Sequence, residues 1–488
     1  MKTKLIALLL LVSMVLAVFV GCKNNTTVGG DSTQTDTSKD NANDVFADNL
    51  PSNMDFGGQK IVIHGMTRND VGLIEENDTD IIRGEIHRRE IKTEERLKVD
   101  IEPYVPYGWT QYSMAINEIR LSVAGDMDDF QLIAGWSALI PALSLEGVFM
   151  NFLDSSMSNV DLEQPYWVQT LVDGLTVGDK LFFVTGDISY TAIAMAFVIA
   201  VNNDLVQDYN VPNLPALVKD NKWTIEKMGE VAKMVSGGPD GDTSGFYLDG
   251  NFQDVATAFM QGSNMSLVSR DEDGLPYLNT NTEKMATLVN KVYDLFFETE
   301  GVKIKPTVNG YDTVFPQGKA MLYPSYVDWF TNFFRDMENK SVLPWPKYDE
   351  AQSQHYTAVQ SGISLWSVPT TVVTAGQLEH EDRLQATTAT LEALASYSYK
   401  NVTPATFEEA LKTKYNDDPD APEMLDIAKK GILLNFEIIY TAEIGGAWTI
   451  LNELMYNKDN DFASLWEERA PVIEGKIVDF IDTFSRMD

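Results

Sequence analysis

Apolar residues fall first into one unbroken run, Leu5 to Val20, and afterwards into short runs and spaced sets divided by polar stretches. The first run is short for a membrane helix, which needs about 20 predominantly apolar residues. Lys2 and Lys4 precede it and Gly21-Cys22 follow it, so it reads as a secretory signal rather than part of a fold. From 23 to 56 the chain is rich in Asn, Thr, Ser, Gly and Asp. Such a composition buries too little to offset its ordering entropy and predicts a flexible tether.

Beyond the tether, strand and helix signals alternate, which is the α/β pattern. Ile61-Val62-Ile63 predicts a strand ending in His64-Gly65-Met66-Thr67, and a charged helix is predicted from about Thr79 to Arg96. Leu97 to Glu102 alternates apolar and charged residues, the period of a half-buried strand. Phe130 to Ala134, Leu181 to Val184 and Ala196 to Val201 predict further strands. Thr224 is a good N-cap for a helix with Ile225, Met228, Val231 and Val235 on one face. Met285, Leu288, Val289, Val292 and Phe296 mark another helix, and Met321–Tyr323 and Ile363–Trp366 predict late strands. Closing helices are predicted from about Glu423 to Tyr440 and from Phe462 to Phe484.

About 440 residues follow the signal and tether, more than one hydrophobic core usually organises, so two lobes are expected. The balance of 37 basic against 72 acidic residues argues against nucleic acid and anionic lipid surfaces as partners. The acids are dispersed, with no block of five or more like charges. Cys22 is the only cysteine, so no intrachain disulfide can form. Phe19-Val20-Gly21-Cys22 resembles the bacterial lipobox. The resemblance implies cleavage before Cys22, its diacylation, and anchoring to the outer face of the cytoplasmic membrane.

No G-x-S-x-G elbow, G-x-x-x-x-G-K loop or G-x-G-x-x-G after a strand is present. His64, His87, His355 and His380 are far apart in sequence, and His380-Glu381 lacks the second histidine of a zinc helix. The run from Pro239 to Gly245 looks like a degenerate calcium loop, but Asn251 stands where an EF-type loop starting at Asp240 would place its bidentate Glu. An Asp-rich turn bonding its own backbone is the simpler reading, and no metal or cofactor is expected.

Several stretches together resemble family 1 extracellular solute-binding proteins of carbohydrate ABC importers, the group that includes the maltose-binding proteins. They are Gly178-Asp179-Lys180-Leu181-Phe182 with Gly186-Asp187-Ile188-Ser189, then Val201-Asn202-Asn203-Asp204-Leu205 and Lys222-Trp223-Thr224. Phe315-Pro316-Gln317-Gly318-Lys319-Ala320-Met321 and Leu343-Pro344-Trp345-Pro346-Lys347 continue the series. Leu391 to Lys400 and Glu423-Met424-Leu425-Asp426 resemble a clostridial-type lipoprotein branch. The resemblance implies a type II periplasmic-binding-protein-like fold: two α/β lobes, a hinge, and a ligand cleft between them. Carried onto this chain, one lobe would comprise 57–190 plus 352–400 and the other 191–351 plus 401–488. It also implies a non-enzymatic monomer that hands a sugar to ABC permease subunits.

Sugars present apolar C–H faces and rings of hydroxyls, so their sites combine aromatic platforms with amides and carboxylates. Ligands of open α/β folds sit beyond the carboxyl ends of strands. Trp136 lies past the strand ending at Ala134, Met66 and Thr67 follow the first strand, and Tyr326 and Trp329 follow Met321–Tyr323. Asp187 at the first crossing and Trp448 near the C-terminus complete the candidate set, with Phe252 and Asp254 as weaker members; Trp167 and Trp223 are assigned to structure. Trp136 and Trp329 are expected to face each other as ring platforms, lost to Ala with weakened binding and near-normal stability. A lipid-anchored carbohydrate-active enzyme and a binder of a non-sugar solute, such as a peptide, are the alternatives.

The anchor is testable directly. Cys22→Ser should shift the protein from the membrane to the soluble fraction with its circular dichroism unchanged; equal membrane retention of the variant would refute acylation at this residue.

Overall fold

The computed structural model describes residues 45–487 except 68, 74–79, 238–240, 251, 307–312, 375–379 and 408–417. Cys22, the signal segment, Pro239 and Asp240 therefore lie outside the described residues. All described residues belong to one compact unit, 42–488. None of its helices is long and apolar enough to cross a membrane.

Strands assemble into two open sheets. The first comprises β1 (Gln59–Gly65), β2 (Val99–Tyr104), β3 (Leu132–Trp136) and β12 (Ser364–Ser367), in the order β12-β3-β1-β2. β1 runs parallel to β2 and β3, whereas β12 is antiparallel to β3, with Ser364 opposite Trp136. The second contains β4 (Phe197–Asn202), β5 (Ser236–Gly237), β6 (Thr243–Gly250), β9 (Val302–Pro306), β10 (Ala320–Tyr326) and β11 (Lys340–Pro344). Its order is β11-β4-β10-β6-β5, with β9 also on β6. β4 is antiparallel to β10, with Phe197 opposite Tyr326. β7 (Val268–Arg270) and β8 (Pro276–Leu278) form a separate ribbon.

Local sequence explains most of these elements. In β2 the alternation places Val99 and Ile101 inside and Asp100 and Glu102 outside. β4 is buried at every position, as its continuous apolar run requires in a strand covered on both faces. The helix Ile81–Leu97 starts at Asp80, whose carboxylate accepts the Arg83 N–H at 2.9 Å, and ends at Lys98 in the left-handed region. Thr224 caps Ile225–Lys233 as its sequence suggests, accepting from the Lys227 N–H.

Four expectations change. The packed chain begins before the expected end of the tether, because Phe46 is buried against Tyr397 and Asp48 pairs with Arg96 at 2.6 Å. Leu181–Val184 is no strand; Val184 makes one isolated bridge to Trp366. The helix expected over Glu423–Tyr440 is broken into Ala421–Lys430 and Phe436–Ile439. A Cβ at the intervening Gly431 would stand 2.5 Å from the His355 carbonyl oxygen, so the chain passes too close there for any side chain. Finally, Thr243-Ser244-Gly245 are no turn but the start of β6. Asp242 just before it is paired with Lys319 at 3.1 Å.

The chain passes between the sheets through two neighbouring segments. The Phe197 N–H donates to the Ala358 carbonyl and the Gln360 N–H to the Met195 carbonyl. A buried polar network fixes this crossing. Asp70 accepts from the Thr191 N–H at 2.9 Å and from its hydroxyl, while the Ser364 N–H donates to that same hydroxyl oxygen at 3.1 Å. Arg89, wholly buried, donates to the Asp70 and Ile188 carbonyls and to the Ser398 hydroxyl. Burial pushes the Arg89 guanidinium down and the Asp70 carboxyl up, each opposed by the other's charge. Asp70→Ala would strand the Thr191 N–H and weaken the compensation of a buried cation. The expected loss of unfolding free energy is about 3–5 kcal/mol by urea denaturation; a loss within about 0.5 kcal/mol, the scale of a neutral surface change, would show that the crossing does not depend on it.

Candidate functional site

Opposing strand directions bring loops of both sheets to a common place. β1, β3 and β10 end there, and β12 and β4, antiparallel to their neighbours, begin there. The result is a cavity of about 310 Å³ lined by Thr67, Trp136, Met195, Tyr326, Asp328, Trp329, Gln360 and Gly362. Half of these residues flank strands of the first sheet and half flank strands of the second.

On the first sheet, the Met66 N–H donates to the Ala134 carbonyl, and the Trp136 N–H meets the Met66 sulfur at 3.4 Å. A Cβ at Gly135, inside β3, would lie 2.2 Å from the Ile140 side chain, which would have to shift to admit it. Ser137 and Ala138 bond to the backbone of Ser361 and Ile363, locking the Trp136 loop to the one that holds Gly362. The Gln360 side-chain oxygen accepts the Gly362 N–H at 2.6 Å.

On the second sheet, the Tyr326 ring lies 4.7 Å from Phe197 and 5.1 Å from Trp329, centroid to centroid. Its hydroxyl donates to the Asp254 carboxylate at 2.9 Å. Trp329 also meets Tyr323, Phe333 and Phe334. Asp328 stands between these aromatic residues, half-buried, with its Oδ1 buried and without a hydrogen-bond partner among the described residues. Desolvation pushes its carboxyl up to about 7, although the backbone N–H groups of Asp328 and Trp329 oppose the rise. Behind Tyr326 and Trp329 a recess of about 20 Å³ contains Asp249 and Asp254. The Asp249 carboxylate accepts from the Tyr323 hydroxyl, and burial raises the Asp254 carboxyl, opposed by the Tyr326 hydrogen bond.

Thus Thr67, Trp136, Tyr326 and Trp329 come together. Met66 is buried beneath the Trp136 backbone and does not line the cavity. Asp187 is elsewhere: it accepts from the Thr403 hydroxyl and pairs with Lys429 at 3.6 Å, tying the first crossing to the C-terminal region. Trp448 is buried in the turn Ala447–Thr449, with its Nε1 unpartnered among the described residues, and is absent from the lining. Phe252 packs on Phe296 and Tyr456. Trp167 and Trp223 are core residues whose indoles donate to Glu392 and to the Pro344 carbonyl. Among the described residues no group of three or more His, Cys, Asp or Glu could hold a metal ion.

Sequence reasoning missed Asp328, although it lies in the same strand-end loop as Trp329. It also missed Met195, Gln360 and Gly362, which precede strands; a rule that looks past carboxyl ends finds them only once β4 and β12 are known to run antiparallel.

No family model and no curated protein sequence matches the chain. Solved structures do. The sugar-binding protein MalE of Xanthomonas citri is similar over 88% of this chain and 100% of its own, with a TM-score of 0.59 and 11% identity. A sugar transporter protein of Rhizobium etli in an open conformation covers 86% and 98%, at 0.55 and 14%. An ABC substrate-binding protein of Listeria monocytogenes in complex with cycloalternan covers 88% and 99%, at 0.52 and 10%. The fold is that of a two-lobed solute-binding protein. Thr67, Trp136, Gln360 and Gly362 face the cavity from the side of one sheet and Tyr326, Asp328 and Trp329 from that of the other.

The near-normal stability expected of tryptophan-to-alanine variants does not fit this geometry. Trp136 is only 7% exposed and Trp329 only 6%, and Trp329 is wedged among four rings. Trp329→Ala should therefore cost about 3–5 kcal/mol of unfolding free energy in urea, the range for deleting a core aromatic. A loss under about 1 kcal/mol would mean that the ring is held by the cleft rather than by the core.

Proposed function

We propose that this chain is an extracytoplasmic solute-binding lipoprotein, anchored through Cys22, that captures a sugar or oligosaccharide and passes it to an ABC importer by hinge closure. The observation that carries the reading is the cavity itself. Three aromatic side chains, one hydroxyl, one amide and one carboxylate converge from two sheets on a space of about 310 Å³. Flat apolar rings suit the C–H faces of a pyranose, and Thr67, Gln360 and Asp328 suit its hydroxyls. The similar proteins of Xanthomonas citri and Listeria monocytogenes, described as sugar-binding and as complexed with cycloalternan, support the same class of ligand.

Closure follows from the same arrangement. A ligand touching residues of both sheets gains contacts only when the lobes approach, so it favours the closed form by that difference. The monomeric state and the two-lobe division at residues 190/191, 351/352 and 400/401 belong to this proposal.

A screen of oligosaccharides should find one that stabilises the protein stoichiometrically, by roughly 2.7 kcal/mol at a hundredfold excess over its dissociation constant. Its radius of gyration by small-angle scattering should fall on binding. Turnover of the sugar would instead reveal an enzyme, and stabilisation by peptides alone would identify a non-sugar binder.

A further inference from the structure

The cavity has a charge character that the general reading leaves open. Among the described residues its lining includes one acid, Asp328, and no Lys, Arg or His. The adjoining recess adds Asp249 and Asp254 and again no cation among the described residues. Asp328 lines the cavity and is half-buried, so little solvent screens its charge. Three aromatic side chains, Trp136, Tyr326 and Trp329, line the same space. The faces of such rings carry negative potential and attract cations, most strongly where water is excluded.

A neutral hydroxyl would leave the carboxylate's charge uncompensated. An anionic group would add repulsion from Asp328 and from the two acids behind it. An ammonium group neutralises the charge and matches the rings, and charge-assisted hydrogen bonds are roughly twice as strong as neutral ones.

We propose that the cleft takes an amino sugar, whose protonated amine binds the Asp328 carboxylate among Trp136, Tyr326 and Trp329. This rests on the sugar-binding reading above and names the ligand's chemical class. A cationic partner would also hold the Asp328 carboxyl ionised near neutral pH against the upward pull of burial.

Calorimetric titration at near-neutral pH tests it with matched sets differing only at C2 of each ring. Glucosamine, galactosamine and the β-1,4-linked glucosamine dimer and trimer are each compared with the N-acetylated and the plain hydroxyl forms, and glucuronic acid is added as an anion. In at least one set the free amine should bind about tenfold or more tighter than both counterparts, the scale of a hydrogen bond to a charged group. In Asp328→Asn the ratio of amine to acetamide affinity should fall toward one. Asp328→Ser gives the same readout should the amide fail to fold, and the wild-type ratios test the idea without any variant. Equal or weaker binding of the amine in every set overturns the proposal, as does an amine preference that both variants retain or tighter binding of glucuronic acid. Binding of neutral sugars without amine preference leaves sugar capture standing and removes only this inference. Binding of no sugar in these sets or in the wider oligosaccharide screen removes both.

Discussion

A guanidinium in the interior must be surrounded by acceptors or it will not stay there. Arg89 meets that demand with groups drawn from four parts of the chain: the loop after β1, the segment leading into the first crossing, the helical segment starting at Ser398, and the neighbouring Glu90 at 3.7 Å. Because one cation collects them all, their positions cannot vary independently. Asp70 then holds Thr191, and Thr191 holds the start of β12. Thr67, Met195 and Gln360 follow or precede these anchors by only a few residues, so the floor of the cleft inherits its geometry from a polar cluster that does not touch it.

A second constraint is directional. In a wholly parallel sheet every strand of a given sense ends on the same edge, and loops on that edge come from carboxyl ends alone. Here each sheet includes a reversed strand, β12 in one and β4 in the other, and both are the strands through which the chain leaves or enters a crossing. The reversal brings the connecting segments themselves to the binding edge. That is why the lining mixes residues at or past strand ends, such as Trp136 and Trp329, with residues before strand starts, such as Met195 and Gly362.

These two constraints also explain what could be read from sequence. Strands with one buried face, such as β2, and capped amphipathic helices, such as Ile225–Lys233, write their period into the chain. Tyr326 and Trp329 could be placed beside the cavity from sequence because aromatic type and strand-end position coincide. Asp328 was hidden among 72 acids, where type has no discriminating power. Asp187 and Trp448 misled because a residue's type does not reveal its partner, and the Lys429 and Thr403 contacts of Asp187 are more than 200 positions away in sequence. The β6 strand was obscured by glycine: Gly245 lies against the Ala232 carbonyl, and a packing requirement of that kind resembles a turn signal when read alone.

The backbone bond between Gln360 and Met195 lies at the crossing, and both residues also line the cavity. For a rigid rotation, displacement grows with distance from the axis. In the hinge closure proposed above, atoms beside the crossing would keep their spacing at every degree of opening, whereas groups far out on either lobe would separate by the full arc. The lining then divides into a stationary base and two moving walls. Whatever part of the ligand rests on the base is recognised on arrival and weighs equally in both forms, so it sets affinity without driving the motion. The part that reaches the walls is recognised last, and it alone supplies the free-energy difference that shuts the cleft.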